Sequence, residues 1–488
     1  MKKYSRILAM FSLIIFVFST FSIYGCSLNK DENRTFYEIE CTLEQDKLTG
    51  KEKVVFFNSS SNAFDCIKFN LYANAFRQGA QFSPIANQYL SQSYYNGINY
   101  GSEEILQVKV AEKSVKFETC GADKNILAVY LDKEIYPQEK VEIEIDYVIN
   151  LAKVIARTGI NLDTINLANF YPIICGIQND SFYECVYYST GDPYFSDYAD
   201  YKVTLNIDSK YVVASSGRLE QQTTKNNLTT YVYSLQNARS FSMVVSEKFQ
   251  VLTKEICKIE VNYFYYKDQD PQASMNTIEK SLNYFINTFG NYPYSHYSVV
   301  QTKFVQGGME FPALVMISDS LENQAYQEVI VHETAHQWWQ TAVGNNEIEF
   351  AFLDEGLAEY SVVLFYENHQ EYGLTRQNVI ESARKTYKSF CTVYDKIFGG
   401  VDTTMVRPLK NFKSEYEYVN LTYIKSCIMY DVLRTTIGDK KFFNGLRKYY
   451  SDYSFSNAQP SDLVGVFEKI GSDTNGFFQS FFEGKVIL

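Results

Sequence analysis

The stretch "VHETAHQWWQTAVGNNEIEFAFLDEGLAEY", residues 331–360, decides how the second half of this chain folds. It holds two of the four histidines, His332 and His336, four positions apart, with Glu333 beside the first. In a helix, residues four apart lie on one face, so both ring nitrogens can point at one spot, while Glu333 lies about 100° round the helix. The pattern predicts a helix that carries a metal site, although surface histidines on an amphipathic helix would show the same spacing.

A third ligand is offered further along the same stretch. A hydrolytic zinc ion takes three protein ligands and keeps one position for water. The pattern HExxHxxGxxH is absent, but Glu355 follows His336 after an 18-residue gap, at the start of a second predicted helix. Two helices that fold back over this gap can bring the Glu355 carboxylate beside both imidazoles. Alone, Glu355 would be an ordinary acidic residue in a first helical turn; with the histidines it predicts a metal centre.

This spacing resembles the aminopeptidase N family of gluzincin zinc metallopeptidases, with its HExxH, 18-residue spacer and Glu-Gly. The segment "GGMEF", residues 307–311, is similar to the family's Gly-x-Met-Glu-Asn exopeptidase signature. The resemblance extends over the chain after its leader, in a short, two-domain, lipoprotein-anchored bacterial form without the helical C-terminal domain of longer members. It implies a multidomain fold, in which an all-β saddle or sandwich precedes an α-rich thermolysin-like (α+β) catalytic domain.

The resemblance also implies the roles of the metal residues. One Zn²⁺ per chain would be bound by His332, His336 and Glu355. Glu333 would be the general base for the water, and Tyr423, in "YIKSCIMYDVL", would stabilise the oxyanion.

The upstream signature implies how a substrate would be held. Glu310 would pair with the free α-ammonium group of a peptide, and the substrate-binding segment would further comprise Gly307, Gly308 and Met309. A fixed carboxylate near the metal selects chain ends that carry a positive charge. The implied protein is a zinc aminopeptidase acting on peptides with a free N-terminus. A zinc endopeptidase and a non-catalytic peptide-binding lipoprotein of the same fold are the alternatives.

Several positions depart from the family pattern or match it weakly. Phe311 stands where the family has asparagine, and Asp354 stands where asparagine is common, which adds a charge beside a ligand. Asn169 is a weak match to the β-domain glutamine that often supplements amine recognition, and Tyr418 could assist Tyr423. Glu359 is expected to be a solvated charge, with orientation of a metal ligand as the alternative.

The hydrophobic pattern predicts where each fold begins. Period-two stretches dominate from residue 37 to about residue 245, which predicts a β domain over 37–248. A thermolysin-like domain is expected over 249–488, with strand-like runs "YSVVQTKF" and "PALVMIS". Its predicted helices cover 271–290, 323–341, 355–369, 375–390, 421–437, 439–451 and 460–484.

The first residues have the layout of an export signal. Lys2, Lys3 and Arg6 precede an apolar run that ends in "SIYGC", residues 22–26. The ending resembles a lipobox, which predicts a lipoprotein signal peptide over 1–25, lipidation of Cys26 and a lipid-anchored tether over 26–36. An uncleaved signal anchor is the alternative. Both place the chain extracytoplasmically, on a cell membrane.

Composition excludes some functions and leaves the thiols open. A net charge of −12, with no basic cluster beyond the first six residues, argues against nucleic acid as a partner. The cysteines form no CxxC pair, so a cysteine zinc site is not expected. Cys175 and Cys185 are close enough in sequence to bridge a loop, but free buried thiols are the favoured interpretation.

Overall fold

The computed structural model describes residues 33–470 and 474–486. The predicted signal peptide, Cys26 and the tether up to residue 32 lie outside this part of the chain. Within it, no helix is both long and apolar enough to cross a membrane. The described cysteines are all free, including the buried Cys175 and Cys185, so no disulfide closes that loop.

Alternating side chains build the β-rich region. In the first strand, Tyr37, Ile39, Cys41 and Leu43 are buried and the residues between them face outward, as expected when one face of a sheet packs on a core. An eight-stranded sheet and two four-stranded sheets share one core. The strands are β1 (Thr35–Glu44), β2 (Lys47–Phe57), β3 (Phe64–Asn70), β4 (Ser102–Val110), β5 (Lys113–Ser114), β6 (Phe117–Cys120), β7 (Ile126–Ile135), β8 (Lys140–Asn150), β9 (Thr158–Ile160), β10 (Ile165–Ala168), β11 (Ile173–Ile174), β12 (Ile177–Gln178), β13 (Ser181–Phe182), β14 (Ala199–Asp208), β15 (Val212–Ser215), β16 (Arg218–Lys225), β17 (Leu228–Ala238) and β18 (Ser242–Ser246).

A mixed sheet of five strands begins the second region of the chain. Its strands are β19 (Gln250–Ile256), β20 (Ile259–Tyr265), β21 (His296–Thr302), β22 (Gly308–Phe311) and β23 (Leu314–Ser318). The sheet order places β22 at an edge, antiparallel to β23. The "GGMEF" segment is therefore a strand in its own right, which the sequence pattern did not predict. Its outer backbone edge has no neighbouring strand in this sheet.

Helices form most of the remaining chain. They are α1 (Leu90–Ser93) in the β-rich region, then α2 (Pro271–Thr288), α3 (Asn323–Ala335), α4 (Glu347–Phe350), α5 (Phe352–Asn368), α6 (Arg376–Phe398), α7 (Glu415–Val419), α8 (Lys425–Ile437), α9 (Asp439–Tyr453), α10 (Pro460–Lys469) and α11 (Asn475–Phe482). Short 3-10 turns lie at Tyr72–Phe76, Asn87–Tyr89, Gln370–Tyr372 and Leu409–Asn411, and a small parallel pair joins β24 (Val343–Asn345) to β25 (Ser456–Ala458).

Four predicted helices differ clearly from the observed ones. The helix expected over 375–390 continues to Phe398 as α6. The helix expected over 323–341 ends at Ala335, because Trp338 and Trp339 turn inward to be fully buried. The helix expected over 460–484 is two helices, α10 and α11. The helix expected over 421–437 starts with a π-helical turn at Asn420–Ile424, which joins α7 to α8. Such turns are rare and often occur at functional sites.

Candidate active site

The three predicted metal ligands converge. Nε2 of His336 lies 3.0 Å from Nε2 of His332, and Oε2 of Glu355 lies 3.2 Å and 3.3 Å from these two atoms. Ligand atoms bound tetrahedrally to zinc at its usual distances are about 3.3 Å apart. The donor set of two imidazoles and one carboxylate is that of a catalytic zinc site. These residues therefore fit a zinc ion in both chemistry and spacing.

Each histidine is fixed through its other ring nitrogen. Nδ1 of His336 donates to the carbonyl oxygen of Trp339 at 2.9 Å, which leaves Nε2 free to bind a metal. Nδ1 of His332 lies 3.3 Å from Oε2 of Glu359. The expectation that Glu359 is a solvated charge is therefore wrong: it lies one turn beyond Glu355 on α5 and orients a ligand.

Glu333 lies in the interior, where its carboxylate faces the cavity. Its side chain is 5% exposed, and Oε2 has no hydrogen-bond partner among the described residues. Burial raises the pKa of Glu333 to about 7, although His332 and His336 act in the opposite direction. A carboxylate whose pKa is close to the working pH is suited to accept and return a proton.

The edge strand β22 lies directly against this glutamate. A Cβ atom at Gly308 would come within 2.3 Å of Oε1 of Glu333. Only glycine permits this approach. Gly307 and Gly308 line the cavity, but the side chain of Met309 points into the core, so its predicted contact with substrate is not made through that side chain.

Glu310 projects from the same strand into the cavity. It is 4% exposed, and its Oε1 has no hydrogen-bond partner within the described part of the chain. Burial raises the pKa of Glu310 well above its ordinary value, and Asp192 and Glu333 add to the effect. The ionised form of Glu310 is thus disfavoured in the free protein, and a cation bound beside it would stabilise that form.

Asp192, in the β-rich region, is a site residue that the sequence reasoning missed. Carboxylate oxygens of Asp192, Glu310 and Glu355 lie within 4.8 Å of one another. Arg157 donates from Nη2 to Asp192 and from Nε to Sδ of Met309 at 2.9 Å, so it connects Asp192 to the edge strand. No local motif marks Asp192. The predicted candidate Asn169 lines a different, smaller cavity.

Tyr423 lies on the π-helical turn, beside the ligands. Its hydroxyl donates to Oε1 of Glu355, and its ring stacks on His332 with 5.9 Å between centroids. Tyr418 contacts the ring of Tyr423 edge-on at 5.8 Å. The π-helical turn is wider than an α-helical turn, and it places the side chain of Tyr423 over the metal ligands. In a regular α-helix, the side chains of the residues after the turn would point in other directions around the helix axis.

The two residues that depart from the family pattern, Phe311 and Asp354, are both buried. Phe311 is buried, and its carbonyl oxygen accepts a hydrogen bond of 3.1 Å from Nε2 of Gln337. Asp354 is buried and accepts a hydrogen bond of 3.0 Å from Asn345. Burial, followed by Glu347 and Glu355, raises the pKa of Asp354 well above its ordinary value. The extra negative charge expected beside the ligand is therefore disfavoured.

The site opens into a cavity of about 280 Å³, room for a short peptide segment. The cavity brings together all the predicted metal and catalytic residues, and Glu310 with both glycines. Its lining also includes Arg157, Asp192 and Tyr89 from the β-rich region.

Comparisons with known proteins agree with this site. Residues 273–481 match the peptidase family M1 domain. Aminopeptidase M1-B of Oryza sativa subsp. japonica is 23% identical over 297 residues, which are 56% of this chain and 32% of that protein. Aminopeptidase N of Haemonchus contortus is 25% identical over 161 residues, 32% of this chain and 16% of that protein. The matched part thus spans about a third or less of these relatives.

The whole fold has counterparts among solved structures. An M1 zinc metallopeptidase from Deinococcus radiodurans superimposes with a TM-score of 0.67 at 15% identity, covering 93% of this chain and 95% of that one. A variant of that protein, bound to a Tyr-Ser-Ala substrate, gives the same TM-score at 14% identity and the same coverage. The fold is that of a two-domain zinc metallopeptidase. Over residues 273–481, which are less than half of the chain, the similarity is to the peptidase family M1 domain.

Proposed function

We propose that this protein is a zinc-dependent aminopeptidase that releases N-terminal residues from peptides at the outer face of a bacterial membrane. One observation carries the proposal: the buried carboxylate of Glu310, whose Oε1 has no hydrogen-bond partner among the described residues, shares a cavity with three converging metal ligands and with Glu333. The ligands fit a hydrolytic metal, and Glu310 supplies the charge that would select a free chain end.

The chain's own residues would place the substrate. A peptide can extend β22 as a further strand, because the outer edge of β22 has no neighbour in its sheet. Its α-ammonium group would then meet Glu310 and Asp192. Arg157 already neutralises one of these carboxylates, so the pair carries about the single negative charge that an ammonium group balances. This places the first peptide bond beside Glu333.

The same residues would carry the proton steps. His332, His336 and Glu355 would hold a zinc ion, which would polarise the scissile carbonyl and lower the pKa of water towards about 7. Glu333 accepts the proton of the attacking water at its carboxylate and returns it to the departing amine. The hydroxyl of Tyr423 donates a hydrogen bond to the oxygen that gains charge. The products are one free amino acid and a peptide shortened by one residue.

One comparison separates this proposal from the alternatives. Purified full-length protein is loaded with zinc and given a peptide in free and N-acetylated forms. An aminopeptidase cuts only the free form and releases residues one at a time; a zinc endopeptidase cuts both forms internally. If the protein binds the peptide and cuts neither, with zinc present at one ion per chain, it is a non-catalytic binding protein.

The proposed location depends on Cys26 and is tested separately. In the bacterial host, a labelled fatty acid should be incorporated into the wild-type protein and not into Cys26→Ala. The wild type should sediment with membranes. If the wild type sediments with membranes but incorporates no label, an uncleaved signal anchor holds the chain, and the lipid anchor is excluded.

A further inference from the structure

The cavity has more carboxylate side chains than the proposed chemistry needs. Seven carboxylate side chains line it, against one arginine, Arg157, which is already paired with Asp192. Five of them have a role or a partner described above, namely Asp192, Glu310, Glu333, Glu355 and Glu359. Glu415 accepts hydrogen bonds from Gln88 and Tyr89. That leaves Glu328, whose side chain has no hydrogen bond or ion pair among the described residues.

Glu328 lies in the wall of the cavity, where its carboxylate has no positively charged partner among the described residues. It lies on α3, one turn before His332, and is half-buried in the cavity wall. Burial raises the pKa of Glu328 and Glu359 adds to this effect, whereas His332 opposes it. No lysine or arginine of the described chain neutralises it. A cation from outside the protein would therefore gain an unusually favourable contact at this point.

The edge strand gives the direction of the bound peptide. Glu310 marks the end where the α-ammonium group would lie, and Gly308 lies against Glu333. At the preceding residue, Gly307, an added Cβ atom would approach Cγ2 of Val329 to 3.3 Å. Val329 is the neighbour of Glu328, and both line the cavity. Glu328 therefore lies beyond the catalytic glutamate, on the side of the residue that follows the cut bond.

A second feature of the cavity suits a cationic ligand. Oε1 of Glu310, in a side chain that is 4% exposed, has no partner in the described chain and faces the same space. An unsatisfied buried carboxylate oxygen of Glu310 at one end and the unpaired, half-buried carboxylate of Glu328 at the other suit a ligand with two positive charges. The first charge is the chain end; the second has to come from a side chain.

We propose that Glu328 recognises lysine or arginine as the second residue of the substrate, so that the preferred substrates are peptides of the form X-Lys or X-Arg at their N-terminus. The inference rests on the proposed aminopeptidase function and adds the substrate class. Glu359 supports the same charge preference but touches a metal ligand, so it does not serve as the test position.

Binding is measured first, on full-length zinc-loaded protein carrying Glu333→Gln to prevent turnover. Isothermal titration with Ala-Lys-Ala and Ala-Gln-Ala should show about tenfold tighter binding of the lysine peptide. Adding Glu328→Gln should remove that difference. Adding Glu328→Lys should reverse the charge preference towards Ala-Glu-Ala. The matched control is Glu322→Gln, an exposed residue immediately before α3, which should keep the tenfold ratio.

Turnover gives the second readout. The ratio of kcat/KM for Ala-Lys-Ala over Ala-Gln-Ala should be about tenfold in otherwise wild-type protein and about one in Glu328→Gln. Equal ratios in these two proteins overturn the second-residue preference, and so does wild-type protein that does not distinguish the peptides. If no free peptide is bound or cut, the aminopeptidase proposal itself fails, which is a distinct result.

Discussion

Arg239 and Glu347 form a buried ion pair, with 2.8 Å between Nη1 and Oε1. Arg239 follows β17 of the β-rich region and also donates to the carbonyl oxygens of Gln340 and Asn345, at 3.3 Å and 2.7 Å. All three partners belong to the spacer between His336 and Glu355. The β-rich region thus holds the segment that sets the separation of the metal ligands.

Arg239→Met should destabilise the protein strongly, because Glu347 would remain buried without its counter-charge. We expect a loss of roughly 3–5 kcal/mol in the free energy of unfolding, measured by urea denaturation. Zinc affinity should fall as well, since the spacer is no longer held. Combining the change with Glu347→Gln should recover part of the loss. Wild-type stability in the single variant would show that the pair has no structural role.

Glu333→Gln should retain zinc and lose turnover. The amide keeps the shape of the side chain but cannot accept the proton, so kcat should fall by about 10²–10⁴-fold. Metal analysis of the same preparation should still give one zinc ion per chain. Hydrolysis at the wild-type rate would remove Glu333 from the mechanism.

Gly308→Ala should damage catalysis without removing the metal, because the new methyl group would lie 2.3 Å from Oε1 of Glu333. Gly307→Ala is the matched comparison, since its methyl group meets Val329 at 3.3 Å, a contact that a small shift relieves. We expect kcat to fall by more than tenfold in the first variant and by clearly less in the second. Equal losses would mean that contact with Glu333 does not explain the glycine at 308.

Asp192→Asn should weaken the binding of free amines. The change removes one carboxylate and leaves Arg157, a positive charge, close to the ammonium position. KM for aminoacyl substrates should rise about tenfold or more, with zinc content unchanged. Unfolding midpoints of both proteins separate this effect from a loss of stability. A KM equal to that of the wild type would exclude Asp192 from amine recognition.

Glu103, in the core of the β-rich region, should make stability depend on pH. Burial raises the pKa of Glu103 from 4.5 to about 8, so between these values the folded state binds more protons than the unfolded state. Stability is then fully present below pH 4.5 and falls as pH rises towards about 8. In urea unfolding at pH 5 and pH 8, Glu103→Gln should lessen the decline. Glu104→Gln, exposed on the same strand, is the control. An identical decline in all three proteins would contradict the assignment.

Local spacing was sufficient to predict the metal centre. Residues four apart on one helix share a face, so His332 and His336 could be placed without knowledge of the rest of the chain. The period-two pattern likewise predicted the strands of the β-rich region, and Glu355 followed from the 18-residue spacer.

Contacts between distant parts of the chain could not be predicted in this way. Asp192 and Glu310 are 118 positions apart and meet only because the β-rich region packs against the five-stranded sheet. The end of α3 at Ala335 depends on the burial of two tryptophans, which a helical period does not reveal. Glu359 was misjudged for a similar reason, since its contact with His332 requires the pairing of two helices.

The cavity is lined by residues from both regions of the chain, and this decides what each region could contribute on its own. Arg157 and Asp192 come from the β-rich region, whereas every metal ligand lies after residue 331. A fragment that begins near residue 249 would keep the metal ligands and Glu310. It would lose Asp192, the other carboxylate proposed to bind the α-ammonium group of the substrate. Arg239, which holds the spacer between the metal ligands, is lost with the same portion, so adding that portion as a separate polypeptide should restore tight metal binding and peptide trimming together.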